Sequence, residues 1–332
     1  MSMSFLYERI TKGRPHATGT LAEPSGTPEP RFALQSTVNW MRALALIAEE
    51  KDFAWASMGK FYAHVTVNSG LSEPAVNTVF EQLLMSLHHL SALDAMVVAA
   101  SDRNLARVGI VTWYYGVYCA ASAMIAASNG SQQRTHSRTA LEWDTRIAAR
   151  DLAREPFCYR LPSLEKVAAE AEIERLRNGN TFTLDRQPTN PDDARGACFS
   201  YLSGTRTYRE WEISEDLKKS ELRKLGLTNF RSLRAREIRD TRLRAKSLGF
   251  LNQAFRYRGK ANYRDALFLT YEAQVGTLLR GFLPDLKTVL RAFVSMAGAF
   301  CSRRVNTNDW AAFLADLNGH LDVAVMPSDV WS

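Results

Sequence analysis

One segment of the chain is rich in basic residues and is the part best suited to contact phosphate. From Glu215 to Arg264 the sequence holds 15 Lys or Arg against five Asp or Glu, while the net charge of the whole chain is only +7. Basicity concentrated in one block favours a polyanion as partner, most simply nucleic acid. On a helical wheel, five of these residues project within roughly a 140° arc, and we call them the basic ridge: Arg231, Arg234, Arg239, Arg242 and Lys246.

Two interpretations of the basic ridge remain open at this level. If it binds nucleic acid, each phosphate that it neutralises makes the affinity more steeply dependent on salt. Otherwise it is a solvated face, or it pairs with acidic groups elsewhere in the fold.

Several sequence motifs of common enzymes are absent. The chain has no P-loop, no dinucleotide-binding glycine motif, no H-E-x-x-H and no G-x-S-x-G. Its six histidines and four cysteines show no zinc-ligand spacing, so we expect neither a metal nor a cofactor. The N-terminus lacks the apolar core of a signal peptide, and we therefore expect a cytoplasmic protein with reduced thiols.

Helical periodicity dominates the rest of the chain and predicts an all-α fold. Seven apolar residues recur at helical spacing and predict a core-facing stripe: Val76, Val79, Phe80, Leu83, Leu84, Leu87 and Leu90. The uncharged run Val108 to Ala127 is long enough to cross a bilayer. Its bulk of Ala, Gly, Ser, Thr and Tyr favours instead the buried centre of a helical bundle.

The pattern divides the chain into four parts. Residues 1–35 are rich in Pro and Gly and predict an extended segment, and 36–160 hold the first part of a helical bundle. Residues 161–250 form a helical insertion with the basic ridge, and 251–332 hold the last bundle helix and C-terminal helices. Within them we expect one helix from Asn229 to about Tyr257 and another from Tyr263 to Arg280.

Two distant segments resemble the HEPN superfamily of prokaryotic helical-bundle proteins. In the first, WYYGVYCAASAMIAASNGSQQRTHSRTALEWD, an aromatic pair (Tyr114-Tyr115) opens a small-residue helix, and Thr135-His136-Ser137 starts the next one. The second, RYRGKANYRDALFL, is similar to the late helix that carries Arg, then His, then often Tyr in the family's ribonucleases. The resemblance implies that the two segments fold against each other as neighbouring helices.

The match departs from the ribonuclease pattern at one position. Arg256 takes the arginine position and Tyr263 the tyrosine position, but Ala261 stands where the family has histidine. In an alternative register Arg258 takes the arginine position. The family's Arg stabilises charge on the scissile phosphate and its His transfers protons, a role that Ala261 cannot fill.

The resemblance implies an RNA-binding or polyanion-binding subunit or regulator without the usual nuclease histidine. Its setting would be a prokaryotic defence, CRISPR-linked or toxin-antitoxin system, with a protein partner of that module or a homodimer. We expect eight residues to contact nucleic acid: the basic ridge, Arg256, Arg258 and Lys260. The alternatives are a metal-independent endoribonuclease, whose candidate catalytic residues are Arg256, Arg258, Tyr263 and His136, and a protein-protein scaffold.

Overall fold

The computed structural model describes residues 30–99, 101–259, 261–262, 277 and 279–332. These residues contain α-helices and no strand, which confirms the all-α fold class. Their eleven helices are α1 (Pro30–Lys51), α2 (Trp55–Phe61), α3 (Glu73–Val98), α4 (Asp102–Asn129), α5 (His136–Arg146), α6 (Lys166–Arg177), α7 (Pro191–Leu217), α8 (Leu233–Arg244), α9 (Phe250–Gly259), α10 (Phe282–Arg304) and α11 (Thr307–His320).

Helix α4 lies at the centre of the bundle and packs against α3 and α10. It is the one helix of the described residues that is long and apolar enough to span a membrane, by length and composition only, and 67% of that apolar window is buried inside the protein. A side chain at Gly116 would stand 2.7 Å from Leu290 of α10, so glycine permits the close approach of the two helices. The small residues of α4 therefore serve packing, as expected for the core of a bundle.

Helix α3 presents the expected apolar stripe to this core. Val79, Leu83, Leu87 and Leu90 are fully buried, while Val76, Phe80 and Leu84 lie half-buried beside them. At about 25 cal/mol per Å² of apolar surface, each fully buried Leu contributes about 2 kcal/mol to folding. Pro74 stands in the first turn of α3, where its missing N–H costs no helical hydrogen bond.

The main core joins residues from both ends of the chain. It includes side chains of α1, α3, α4, α9 and α10, together with the first half of α7, which packs against α1. Two smaller apolar clusters lie within residues 161–248. The predicted four-part division is not tested by this arrangement and stays a prediction.

The expected single helix from Asn229 to about Tyr257 is wrong. The chain leaves helical conformation after Arg244, and Leu248 forms an antiparallel bridge with Leu161 before α9 begins at Phe250. The two backbone hydrogen bonds of this bridge are 2.7 and 2.9 Å long. Leu161 and Leu248 are fully buried in one apolar cluster, so burial and pairing replace the missing helical bonds.

Helix α1 begins at Pro30, within the predicted extended segment 1–35, and the division of the chain at residue 35 stays a prediction. Proline is compatible with the first turn of a helix, which reconciles a proline-rich approach with this start. Residues 1–29 lie outside the described residues. So does almost all of the expected helix from Tyr263 to Arg280.

Candidate nucleic-acid interface

The two segments that carry the family resemblance lie side by side. The rings of Tyr114 on α4 and Phe255 on α9 have centroids 6.1 Å apart. The Arg258 guanidinium lies 5.0 Å from the centroid of Tyr114 and donates from Nη1 to the Tyr115 hydroxyl at 3.1 Å. Residues 256–259, the start of the second segment, therefore lie against α4 as expected, and residues 263–269 of that segment lie outside the described residues.

A cleft of about 500 Å³ opens beside this pair of helices, between α5, α7, α9 and the loop that precedes α9. It is lined by four of the residues that the sequence singled out: His136, Lys246, Arg256 and Arg258. Arg138 and Arg209 add two further cations, each ion-paired to a glutamate. Glu212, the partner of Arg209, is the one carboxylate among the described residues of the lining. The cleft is thus strongly cationic.

Arg256 is buried in the wall of this cleft, with 9% of its surface exposed. It donates from Nη1 to the Thr205 hydroxyl at 2.8 Å, and its guanidinium lies 5.1 Å from the ring centroid of Tyr208 and 5.5 Å from that of Tyr201. Its Nε–H has no acceptor, and no carboxylate of the described residues pairs with it. Aromatic rings hold the guanidinium in place without cancelling its charge.

Arg258 is held in the same way, two residues further along α9. Its guanidinium lies 4.9 Å from the Phe255 centroid and within 5.8 Å of two tyrosine rings. Its Nε–H is buried and lacks an acceptor. No ion pair joins it to any described carboxylate. Two guanidinium groups without a carboxylate partner among the described residues therefore line one cleft, and an anion bound there would neutralise their charge.

His136 enters the cleft from the first turn of α5. Helix α4 is followed by Gly130, whose φ of 73° is left-handed, and Thr135 then caps α5 by accepting from the Arg138 N–H at 3.3 Å. The His136 Nδ1 lies 2.8 Å from the Tyr114 hydroxyl, and its ring lies 4.6 Å from that of Tyr118. The turn between the helices thus delivers the imidazole to the aromatic wall.

Burial, and secondarily the nearby Arg258 charge, lower the pKa of His136 below its ordinary value. Burial raises the pKa of Tyr114, an effect that Arg258 opposes only in part. The tyrosine hydroxyl therefore stays protonated and the imidazole is neutral at neutral pH. A neutral imidazole beside a guanidinium is equipped to accept a proton next to a bound phosphate.

The basic ridge is only partly formed as expected. Helix α8 covers Leu233–Arg244, so Arg231 precedes its N-cap and Lys246 follows its end. Arg234, Arg239 and Arg242 share the helix, but Arg239 is half-buried, ion-paired to Asp240 and positioned over the Phe230 ring. The early end of α8 is the physical reason for the difference, because it directs Lys246 to the cleft instead.

The exposed part of the ridge remains available to a ligand. Arg231, Arg234 and Arg242 are exposed, and no ion pair within the described part of the chain occupies them. Two further exposed arginines of α8, Arg236 and Arg244, were not singled out by the wheel. The arginine-rich helix therefore presents charge on more than one side.

Two of the predicted residues, Lys260 and Tyr263, lie outside the described residues. Ala261 is buried, and its carbonyl accepts from Arg107 Nε at 3.3 Å. A methyl side chain at this position carries no titratable group. Among the described residues of the lining, His136 is the one imidazole.

Sequence reasoning missed several residues that build the cleft. Thr205, Tyr208, Arg209 and Glu212 of α7 all contribute to it or to its arginines. Their spacing of three and four residues places them on one helical face, which was a usable signal. Phe255 was missed because an aromatic residue inside an apolar pattern is ordinarily assigned to the core.

The described residues contain no group of three or more His, Cys, Asp or Glu that could hold a metal ion. The chain matches no protein-family model, no curated protein and no solved structure.

Proposed function

We propose that the protein is a HEPN-like RNA-binding subunit or regulator that binds its ligand at the cleft between α5, α7 and α9. The observation that carries the proposal is the pair Arg256 and Arg258, whose charges no carboxylate of the described chain neutralises. Burying a cation without a partner is costly, and proteins keep such groups where a ligand anion completes them. RNA phosphate is a ligand whose oxygens fit the planar fork of guanidinium donors.

The arginines of α8 support the same proposal. Arg231, Arg234 and Arg242 are exposed and belong to the basic block that also supplies Lys246 to the cleft. Exposed arginines contribute affinity without sequence specificity, while the cleft fixes one part of the ligand. An RNA that binds the cleft and the exposed arginines of α8 would contact cations at two sites.

The setting in a cell belongs to the proposal and rests on the resemblance alone. We place the protein in the cytoplasm, in a prokaryotic defence, CRISPR-linked or toxin-antitoxin module, where it acts with a protein partner or as a homodimer. The substitution of Ala261 for the family's histidine favours binding over cleavage.

The decisive test is a titration of fluorescently labelled single-stranded RNA of mixed sequence with the full chain, from about 50 to about 200 mM salt. We expect saturable binding, and the logarithm of the association constant should fall linearly with the logarithm of the salt concentration. Arg258→Gln should weaken it, whereas Arg150→Gln, at an exposed arginine outside the cleft lining, should leave it unchanged. Absent or salt-insensitive binding would favour the protein-protein scaffold instead.

A second candidate function is favoured by the distance of 2.8 Å between His136 and the Tyr114 hydroxyl, beside Arg258. In a metal-independent ribonuclease, neutral His136 would accept the 2′-hydroxyl proton as that oxygen attacks phosphorus. The bond from phosphorus to the 5′ oxygen would break, and the leaving oxygen would take a proton from water. Arg256 and Arg258 would stabilise the added charge on the phosphate.

Incubation of the same RNA with the protein in EDTA separates the two candidates. Cleavage that disappears in both His136→Gln and Arg258→Gln would establish the enzyme, with a cyclic phosphate and a 5′-hydroxyl as products. RNA that is bound but stays intact would leave the binding function alone.

A further inference from the structure

The charge in the cleft exceeds what a link within an RNA chain can neutralise. Arg256 and Arg258 bring two guanidinium groups without carboxylate partners among the described residues, and exposed Lys246 adds a third cation to the lining. A phosphodiester carries one negative charge. A phosphate monoester carries about −1.5 to −2 at neutral pH, together with three acceptor oxygens. The charge of these three cations therefore matches a terminal phosphate better than an internal one.

The dimensions of the cleft also favour the end of an RNA strand as the ligand. Its volume of about 500 Å³ is that of a small-molecule pocket. A duplex is far too wide for such a space, whereas one or two nucleotides fit. Arg256 closes the inner wall, buried to nine-tenths and held by Thr205.

An apolar surface lies beside these cations. Phe255 is 37% exposed and Leu141 is 41% exposed, and both line the cleft. Phe255 packs directly on Arg258, so its ring and the guanidinium are adjacent. Bases stack on exposed aromatic rings in proteins that bind single strands. An exposed ring beside cations suits the base and the phosphate of one nucleotide.

We propose that the cleft captures the phosphorylated end of a single-stranded RNA, with the terminal phosphate among the cations Arg256, Arg258 and Lys246 and the terminal base on Phe255. This inference rests on the proposed function and narrows its ligand. The phosphate could stand at the 5′ or at the 3′ end, and the experiment distinguishes these sources.

The test compares three otherwise identical short RNAs that carry a 5′-phosphate, a 3′-phosphate or hydroxyl groups at both ends. Binding to the full chain is measured by competition against a labelled RNA at constant salt. We expect one of the two phosphorylated RNAs to bind at least about tenfold more tightly than the hydroxyl-ended RNA. Equal binding of all three would overturn the inference while leaving RNA binding intact. No binding of any would overturn both.

Variants locate the effect in the cleft. Arg258→Gln should abolish the preference for the phosphorylated end, and Phe255→Ala should weaken every RNA about tenfold while Phe255→Tyr retains binding. Arg256 is buried and its substitution endangers the fold, so Lys246→Gln at an exposed residue provides a second measure and should reduce the preference. A preference that survives both Arg258→Gln and Lys246→Gln would place the phosphate elsewhere and overturn the inference.

Discussion

The molecule uses partly or wholly buried arginines in two contrasting ways. We call the ion pairs of Arg160 and Arg195 the frame. Arg160 donates from Nε and Nη2 to the two carboxylate oxygens of Asp144, at 2.9 and 2.8 Å. Arg195 likewise pairs with Glu155, at 2.8 Å, and with Glu50. In the cleft, Arg256 and Arg258 rest on aromatic rings and on hydroxyl groups instead. Arg160 and Arg195 are neutralised by the fold, whereas Arg256 and Arg258 are not neutralised by any described residue.

Glu155 shows how completely the frame satisfies its charges. Burial raises the pKa of this carboxyl, but hydrogen bonds from Lys51, Tyr159 and Arg195 outweigh it and hold the pKa below the ordinary value. The carboxylate is thus fully matched within the protein. Arg256 and Arg258 have no comparable match in the described residues, so the same residue type indicates structure in one region and ligand binding in the other.

The largest expected effect is on the frame. Asp144→Asn should lower the free energy of unfolding by about 3 kcal/mol, because it leaves Arg160 without its buried carboxylate. Urea denaturation measures this change. The control is Glu170→Gln, which breaks the exposed ion pair with Lys166 and should change stability by less than about 1 kcal/mol. If RNA affinity of the folded Asp144→Asn protein also fell, the separation of frame from cleft would be incorrect.

The second prediction concerns the cleft, where we expect a change in RNA affinity and little change in stability. Arg258→Gln should lower RNA affinity at least about tenfold, because phosphate loses a charged donor. Its free energy of unfolding should change by no more than about 1 kcal/mol, since the variant removes an unneutralised charge along with its packing on three aromatic rings. Anisotropy and urea denaturation of one preparation check both statements. A large loss of stability with unchanged affinity would assign Arg258 to the frame.

A smaller effect is expected on α8. The triple variant Arg231→Gln, Arg234→Gln, Arg242→Gln should weaken RNA binding about threefold to tenfold and lower the salt slope by about 0.7 for each phosphate that it no longer neutralises. Stability should stay within about 0.5 kcal/mol, because all three side chains are exposed. A salt series measures the slope. An unchanged slope would mean that the exposed arginines do not bind RNA.

The smallest effect concerns pH. Because the pKa of His136 is lower in the folded protein than in the unfolded chain, the unfolded chain binds more protons between the two values. The contribution of His136 to stability is therefore complete above about pH 6.5 and is lost as the pH falls through the folded value. His136→Gln should flatten this part of the stability profile. Identical profiles for the variant and wild type would contradict the placement of a neutral imidazole in the aromatic wall.

The sequence predicted the helical architecture well where the apolar pattern is long. The stripe of α3 and the neutral run of α4 were recognisable because burial alone sets their composition. The break between α8 and α9 was not predictable from helical periodicity. It depends on Leu248 pairing with Leu161, far earlier in the chain, and only the tertiary fold brings those backbones together.

The candidate site was predicted in part for the same reason. His136, Arg256 and Arg258 were identified from two separate segments, and their proximity followed from the resemblance. Thr205 and Tyr208, which contact Arg256, belong to a third segment of the chain. Neither the helical periodicity nor the family resemblance connected that segment to the other two. Lys246 was wrongly included in the helical face of the basic ridge, because the helical-wheel projection treated the helix as continuous through Ala245.

The bridge at Leu248 lies between the arginine-rich helix α8 and the start of α9. A side chain at Gly249 would stand 2.9 Å from the Asp144 carboxylate, so the start of α9 is pressed against a residue that Arg160 already fixes. Glycine at position 249 therefore permits the close approach of the start of α9 to α5. The exposed arginines Arg231, Arg234 and Arg242 precede the bridge in the chain and make no ion pair among the described residues, so exchange of these side chains leaves the attachment of α9 unchanged.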